Sequence, residues 1–230
     1  MIKIAHLYYD LLNLYGEQGN ILALKNTFKN QNIDIEIEKV TIGDNFNFKD
    51  YDLIYIGSGS KENLMIVLED IKKYKKEFKK YINDDKYLIV TGSSYLLFGK
   101  SIDDKEALDI FPYYAKTTDR IRCHSFMQYK ELSPIVGFQN REFIVDNKEN
   151  HLFKVISGSA DNFKSEYEGY HYKNFFGTFL IGPLLIRNPH FTDLIISDLT
   201  IKNNYNYHID INTNEYKAYN EYIKNFYEKK

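Results

Sequence analysis

The stretch YLIVTGSSYLLFGK, residues 87–100, holds the side chains best placed for chemistry. An apolar strand runs into a small-residue turn, Thr91, Gly92, Ser93 and Ser94, and then into a short apolar helix. Hydrolytic enzymes set a nucleophile on such a turn. This turn offers hydroxyls and no thiol. A hydroxyl depends on an adjacent base more than a thiol does. Thr91, Ser93 and Ser94 are therefore candidate nucleophiles, and His124, His171 and His190 candidate bases. The same residues also fit a plain turn whose hydroxyls bond nearby backbone. The single cysteine, Cys123, lies on a separate candidate strand and reads as a small core residue. One cysteine leaves no internal disulfide and no cysteine-based zinc site.

The elements that must hold this turn follow from periodicity. KIAHLYY (3–9) reads as a strand, and NILALKNTFKNQN (20–32) as a helix capped by Asn20. IDIEIEKV (33–40) alternates strictly, as a half-exposed strand does. DLIYIGSG (52–59) is an apolar run ending in glycines, the pattern of a buried parallel strand. Residues 61–84 repeat Leu64, Val67, Leu68, Ile71, Tyr74, Phe78 and Ile82 at helical spacing and predict one amphipathic helix. This order predicts an α/β protein: a three-layer, mostly parallel sheet flanked by helices. Ligands of such sheets sit at the carboxyl ends of the strands, where GSGS (57–60) and TGSS (91–94) lie. The second half is richer in strands: RIRCHSFMQY, IVGF, EFIVD and LFKVI. NPHFTDLIISDLTIKN (188–203) reads as a helix with Pro189 in its first turn, and residues 214–230 as a tail helix carrying Tyr219, Ile223 and Phe226. No linker or repeat divides residues 1–230, so one domain is expected.

With 43% hydrophobic and 27% charged residues, the composition is that of an ordinary globular chain. A net charge of -2, with lysines and acids interspersed, argues against a nucleic-acid partner. Arginine is scarce (Arg120, Arg122, Arg141, Arg187), so each one stands out against the default lysine. The apolar run at 175–186 is broken by Gly and Pro and, at about a dozen residues, is too short to span a bilayer. The opening MIKIAHLYYDLLNLYG has no basic-then-apolar leader, and a cytoplasmic location is expected. No cofactor and no metal is expected.

Three stretches carry a resemblance. DLLNLYGEQGNILAL (10–24), the strand and turn at 87–99, and HYKNFFGTFLIGPLLIRNP (171–189) resemble, in order, the class I glutamine amidotransferase domain of the cobyric acid synthase type (CobB/CobQ-like). Within that family the chain is most similar to the amidotransferase subunit of lipid II isoglutaminyl synthase. The resemblance implies a flavodoxin-like fold. It also implies a chemistry: an elbow cysteine attacks the side-chain amide of glutamine, a histidine of the GPLL segment acts as base and then acid, and backbone N–H groups of the glycine loop hold the oxyanion. The ammonia passes to a Mur-ligase-like partner that amidates a peptidoglycan precursor. A glutamine-like small molecule and that subunit are the implied partners.

The sequence departs from the family at both reactive positions. The family elbow resembles Cys-Gly-Gly-Tyr-Gln-Leu-Leu-Gly. Aligning Tyr95 and Gly99 puts Gly92 at the cysteine, Ser93 and Ser94 at the glycines and Leu96 at the glutamine. The segment Gly-(Ser/Thr)-aromatic-X-His-Gly-Pro-Leu-Leu aligns with GTFLIGPLL and puts Ile181 at the histidine. Gly177, Gly182, Pro183, Leu184 and Asn188 are kept. Glycine has nothing to attack with, and isoleucine carries no titratable proton. Glycine does suit the positive φ of an elbow. Gly57 and Gly59 of the glycine loop are retained and, with Ser93, are the oxyanion candidates, while Ser58, Ser60 and Lys61 differ from the family. TTDRIR (117–122) resembles the segment whose arginine grips the substrate carboxylate, which makes Arg120 a substrate-binding candidate. GFQNR (137–141) resembles Gly-Phe-Glu-Asn-His, keeps Asn140 as a second such candidate, and departs at Gln139 and Arg141. A degenerate, non-hydrolytic member is expected. An active amidotransferase with a displaced nucleophile, or another small-molecule enzyme re-using the pocket, stays open.

Overall fold

A computed structural model describes residues 1–228. Its first half is built from β1 (Ile2–Leu7), α1 (Gln18–Asn30), β2 (Ile35–Val40), β3 (Leu53–Ile56), α2 (Lys61–Ile71), α3 (Lys75–Asn83) and β4 (Tyr87–Thr91). Strands β2, β1, β3 and β4 lie side by side and parallel. Successive side chains of a strand point to opposite faces. Ala5, Leu7, Ile54, Ile56, Leu88 and Val90 thus pack on one face with Leu64, Val67, Leu68 and Ile71 of α2 and Phe78 and Ile82 of α3. Ile2, Ile4, Leu53, Tyr55, Tyr87 and Ile89 pack on the other with Ile21, Leu24 and Phe28 of α1. Each fully buried aliphatic side chain stabilises by about 1.5–3 kcal/mol. The three layers and the near-continuous apolar runs of β3 and β4 are one fact: both faces are covered.

The second half comprises β5 (Ser101–Ile102), β6 (Lys105–Glu106), β7 (Tyr114–Gln128), β8 (Ile135–Asp146), β9 (His151–Ser157), β10 (Tyr167–Tyr172), β11 (Phe175–Thr178), α4 (Leu184–Arg187), α5 (Pro189–Lys202) and α6 (Asn214–Glu228). Strand β11 adds in parallel beside β4, and β10, β9, β7 and β8 extend the sheet antiparallel. The α/β, helix-flanked, parallel-centred sheet matches the expectation. Thr178 sits opposite Thr91 in the β11–β4 register, so both chains leave the same end of the sheet side by side. That register brings residues 92 and 181 together.

Three local expectations need correction. The helix over 61–84 is two helices joined by a 3-10 turn at Lys72–Tyr74, where the Tyr74 ring packs against Phe46 and Phe48. The apolar repeat stays in phase across the break, so periodicity does not report it. IVGF and EFIVD are one strand, β8, because Gln139 and Arg141 turn inward and interrupt the apolar alternation. Asn20 is no N-cap; Glu17 takes that place, and Asn20 is buried in the first turn of α1. The short apolar helix expected after the turn is present, as a 3-10 helix over Gly92–Phe98.

The tail helix packs through Tyr219, Tyr222, Ile223 and Phe226 on Phe126 and Val136. Among the described residues no helix is long and apolar enough to cross a membrane.

Candidate functional site

Strand β4 ends at Thr91, and Gly92 turns the chain at φ 61°. L-residues with a Cβ rarely adopt that conformation. The Ser94 hydroxyl donates to Gly57 O at 2.5 Å, and Tyr113 OH donates to Tyr95 O at 2.6 Å. The elbow is therefore pinned to the facing glycine loop. Residues 11–14 pack on that loop from above: a Cβ on Gly57 would lie 2.3 Å from Leu12 O, and one on Gly59 2.8 Å from Leu11 O. Leu14 N donates to Ser58 O at 2.8 Å.

Three residues meet at the crevice. A Cβ built on Gly92 would fall 2.1 Å from Ser58 Oγ, 2.3 Å from Ser58 Cβ and 3.1 Å from Ile181 Cγ2. Heavy atoms in contact need about 3.5–4.0 Å. The space a side chain at 92 would need is filled, chiefly by Ser58. Gly92 and Ile181 are adjacent, as the resemblance implies. The role of Ser58 has no sequence signal, since it arises between residues 34 positions apart in the chain.

The remaining candidates separate. Thr91 is fully buried and donates to Glu17 Oε2 at 2.5 Å; Ser94 is fully buried and bonded as above. Ser93 is half-buried on the cleft beside the elbow. His124 is exposed on β7, its ring against Phe138. His171 Nδ1 donates to Phe175 O at 3.1 Å, and its ring stacks on Phe176. His190 donates from Nε2 to Ser133 O at 2.9 Å and packs on Tyr219. Each of these rings is engaged with partners of its own, and none of those partners is Gly92 or Ser93. Cys123 lies half-buried on β7, 3.6 Å from Ser125 Oγ.

Behind the elbow lies a buried polar group. Glu17 Oε2 accepts from Asn20 Nδ2 at 3.2 Å, from Thr91 Oγ1 and from Tyr55 OH. Burial pushes the Glu17 carboxyl up to about 7, against these three donors. Asn20 Nδ2 also donates to Tyr55 OH at 2.7 Å, and its Oδ1 accepts from Leu185 N at 2.7 Å. Asn188 Oδ1 accepts from Val136 N at 2.7 Å, and its Nδ2 donates to Val136 O and Leu184 O, each at 2.8 Å. LYGEQGN and GPLLIRNP are thus tied to each other and to the elbow by scaffold bonds. Those bonds give a reason for the motifs to persist whether or not the reactive residues do.

On the opposite face, Tyr95 OH donates to Asp161 Oδ1 at 2.9 Å, and Glu168 accepts from Thr178 Oγ1 at 2.8 Å. Burial raises both carboxyls well above their ordinary range. Arg141, itself buried, lies over the Phe179 ring at 4.0 Å. It donates to Gln139 Oε1 at 2.8 Å and Ser159 Oγ at 3.0 Å, and to the carbonyls of Phe143, Ala160 and Asp161. Neither acid was singled out in the sequence, where nothing sets them apart from surface carboxylates.

A cleft of about 160 Å³ opens beside the elbow, lined by Tyr15, Gly59, Ser93, Arg120, Asn140 and Glu142 among others. Asn140 Nδ2 donates to Tyr15 OH at 3.2 Å. Arg120 is engaged with Glu142: Nε donates to Oε1 at 2.8 Å, and Nη2 donates to the same oxygen. Among the described residues no group of three His, Cys, Asp or Glu side chains is arranged to hold a metal ion.

Comparison with known proteins bears on the family and the fold. The chain is 29% identical over 201 residues to the subunit GatD of lipid II isoglutaminyl synthase (glutamine-hydrolyzing) of Staphylococcus aureus, covering 85% of this chain and 83% of that protein. It is likewise 29% identical over 198 residues to the Streptococcus pneumoniae subunit, covering 81% and 76%. Two solved glutamine amidotransferases share the fold at 11% identity: one with TM-score 0.55 over 85% of this chain and 97% of that one, and one from Thermotoga maritima with TM-score 0.53 over 99% and 97%. The profile of the CobB/CobQ-like glutamine amidotransferase domain matches residues 3–189, and the chain belongs to that family.

Proposed function

We propose that this chain is a non-hydrolytic member of its family, a single-domain pseudoenzyme that acts in binding or regulation beside a Mur-ligase-like subunit in lipid II amidation. The location proposed is the cytoplasm. The observation that carries the reading is the filled crevice. Where an elbow nucleophile and its base would meet, Gly92 has no side chain, Ile181 supplies hydrocarbon, and Ser58 takes the remaining volume. Acyl transfer from glutamine needs an attacking atom and a group to carry its proton. Neither is present at residues 92 and 181. The intact elbow turn and the bonds through Glu17, Asn20 and Asn188 support retention of the domain as a scaffold. The two relatives named above are subunits of a synthase, which supports a subunit role here.

The test is ammonia release from glutamine by the purified chain, alone and with any co-encoded Mur-ligase-like protein. No release above background is expected in either case. Release that disappears in Ser58→Ala, Ser93→Ala or Ser94→Ala would make the chain an active amidotransferase with a displaced nucleophile.

A further inference from the structure

Two fully buried carboxyls, Asp161 and Glu168, sit where the elbow meets the hairpin of β10 and β11. Asp161 Oδ1 accepts from Tyr95 OH, in the 3-10 turn of the elbow, and from Gly169 N of β10 at 3.0 Å. Its Oδ2 has no hydrogen-bond partner. Glu168 on β10 accepts from Thr178 Oγ1 at 2.8 Å and from Phe179 N at 2.5 Å, at the end of β11. Thr178 Oγ1 in turn accepts from Leu180 N at 3.0 Å, one residue before Ile181. The two acids therefore hold both segments that leave the sheet side by side. Their charges do not balance. Arg141 of β8 is the one cation whose charge reaches them; the other neighbours, Tyr95, Tyr113, Cys123 and Asn147, bring no positive charge. The Arg141 N–H groups go to Gln139, Ser159 and three carbonyls, and none goes to either carboxyl group. Two carboxylates against one guanidinium leave a net buried charge, which is strongly unfavourable. One proton on the pair makes the cluster neutral.

We propose that Asp161 and Glu168 share one proton and form a pH-sensitive latch: with the proton held, the elbow and the end of β11 are clamped to β10, and its loss loosens both. The proton belongs to the pair rather than to either residue. Burial is the main cause that keeps both carboxyls protonated above their ordinary range, and the charge of Asp161 adds to it at Glu168. The folded chain thus keeps a proton that the unfolded chain releases above about pH 4–4.5. The contribution of the latch is complete below that range and is lost as pH rises through the raised folded values. The latch needs no reacting group at residue 92, so it operates whether or not the chain hydrolyses glutamine.

The experiment is urea unfolding of the full chain from about pH 5.5 to 9, for wild type, Asp161→Asn, Glu168→Gln and the double variant. In either single variant the remaining carboxylate balances Arg141, and no proton is needed. Through the window in which wild type gives up its proton, its unfolding constant should therefore rise about tenfold per pH unit relative to either single variant. The double variant strands the Arg141 charge and should be less stable than both singles. Amide exchange read by mass spectrometry at matched pH tests the clamp itself: residues 92–98 and 175–181 should lose protection with rising pH in wild type and keep it in Glu168→Gln. The same pH dependence in wild type and both single variants, or a loss of protection that spares those two segments, would overturn the proposal. Should the single variants fail to fold, infrared spectra of Glu17→Gln decide it, since that background removes the other raised carboxyl near the elbow. A protonated-carboxyl C=O band at neutral pH that vanishes at alkaline pH is expected, and its absence at neutral pH would overturn the shared proton.

Discussion

Adding one methyl group at Gly92 tests the packing at the elbow. Gly92→Ala has two separable costs. An L-residue at φ 61° costs about 1–2 kcal/mol relative to glycine. The new Cβ, 2.1 Å from Ser58 Oγ and 2.3 Å from Ser58 Cβ, also overpacks the crevice. Overpacking costs about 1–3 kcal/mol. The sum, about 2–5 kcal/mol, corresponds to a fall in Tm of roughly 4–20 °C for a chain of this size. Relief by rotation is limited, because Ser58 Cβ itself is in the way and is fixed to the backbone. The assay is urea unfolding of four proteins: wild type, Gly92→Ala, Ser58→Gly, and the pair. In the Ser58→Gly background only the backbone cost should remain, which gives a coupling of about 1–3 kcal/mol. If Gly92→Ala costs the same with and without the Ser58 side chain, Ser58 is not what fills the nucleophile's space, and the reasoning fails.

Further outcomes follow from the same geometry. Gly92→Cys with Ile181→His should stay silent in glutamine hydrolysis, and detectable release should need Ser58→Gly as well; activity in the double variant would contradict the blocking role of Ser58. Glu17 binds its proton up to about pH 7 when folded, against an ordinary 4.5, so wild-type stability falls as pH rises between those values and levels off above. Glu17→Gln lacks that loss. Its urea midpoint relative to wild type should climb through the same window, by about 3 kcal/mol in stability, and a flat difference would refute an ionising, buried Glu17. Arg141→Met should cost at least about 3 kcal/mol, because it leaves buried carbonyls and raised carboxyls without their shared cation; a change under about 1 kcal/mol would deny the network its role. Asp193 accepts from Tyr216 OH at 2.6 Å and from Tyr207 OH, so Asp193→Ala should loosen residues 203–213 and speed limited proteolysis there; unchanged cleavage would show that other contacts hold the segment.

Much of the fold can be read from local pattern. The strands β3 and β4 are short apolar runs ending in small residues, and α2 and α3 each show an apolar face, so the layer order follows from sequence. The break at Lys72–Tyr74 is not legible, because the spacing of Ile71, Tyr74 and Phe78 suits both a bent and a straight path. Strand β8 reads as two pieces because Gln139 and Arg141 point inward, a placement that makes sense only once Asp161 and Ser159 are seen beside them. At the site, the meeting of Gly92 and Ile181 follows from motif order. The Ser58 plug and the Arg120–Glu142 pair do not, since both are contacts between segments distant in sequence. Tyrosine abundance acquires a structural meaning too. In a chain poor in arginine, hydroxyls hold inward carboxylates, as with Tyr95 on Asp161 at 2.9 Å and Tyr8 on Asp70 at 2.9 Å.

The central claim is that no group at the elbow can attack an amide carbonyl, and covalent trapping tests it most directly. The full chain is incubated with an electrophilic diazoketone analogue of glutamine, with and without a Mur-ligase-like partner, and its intact mass is measured. The account predicts an unmodified chain in both samples. A stoichiometric adduct mapping to Ser58, Ser93 or Ser94 would contradict it.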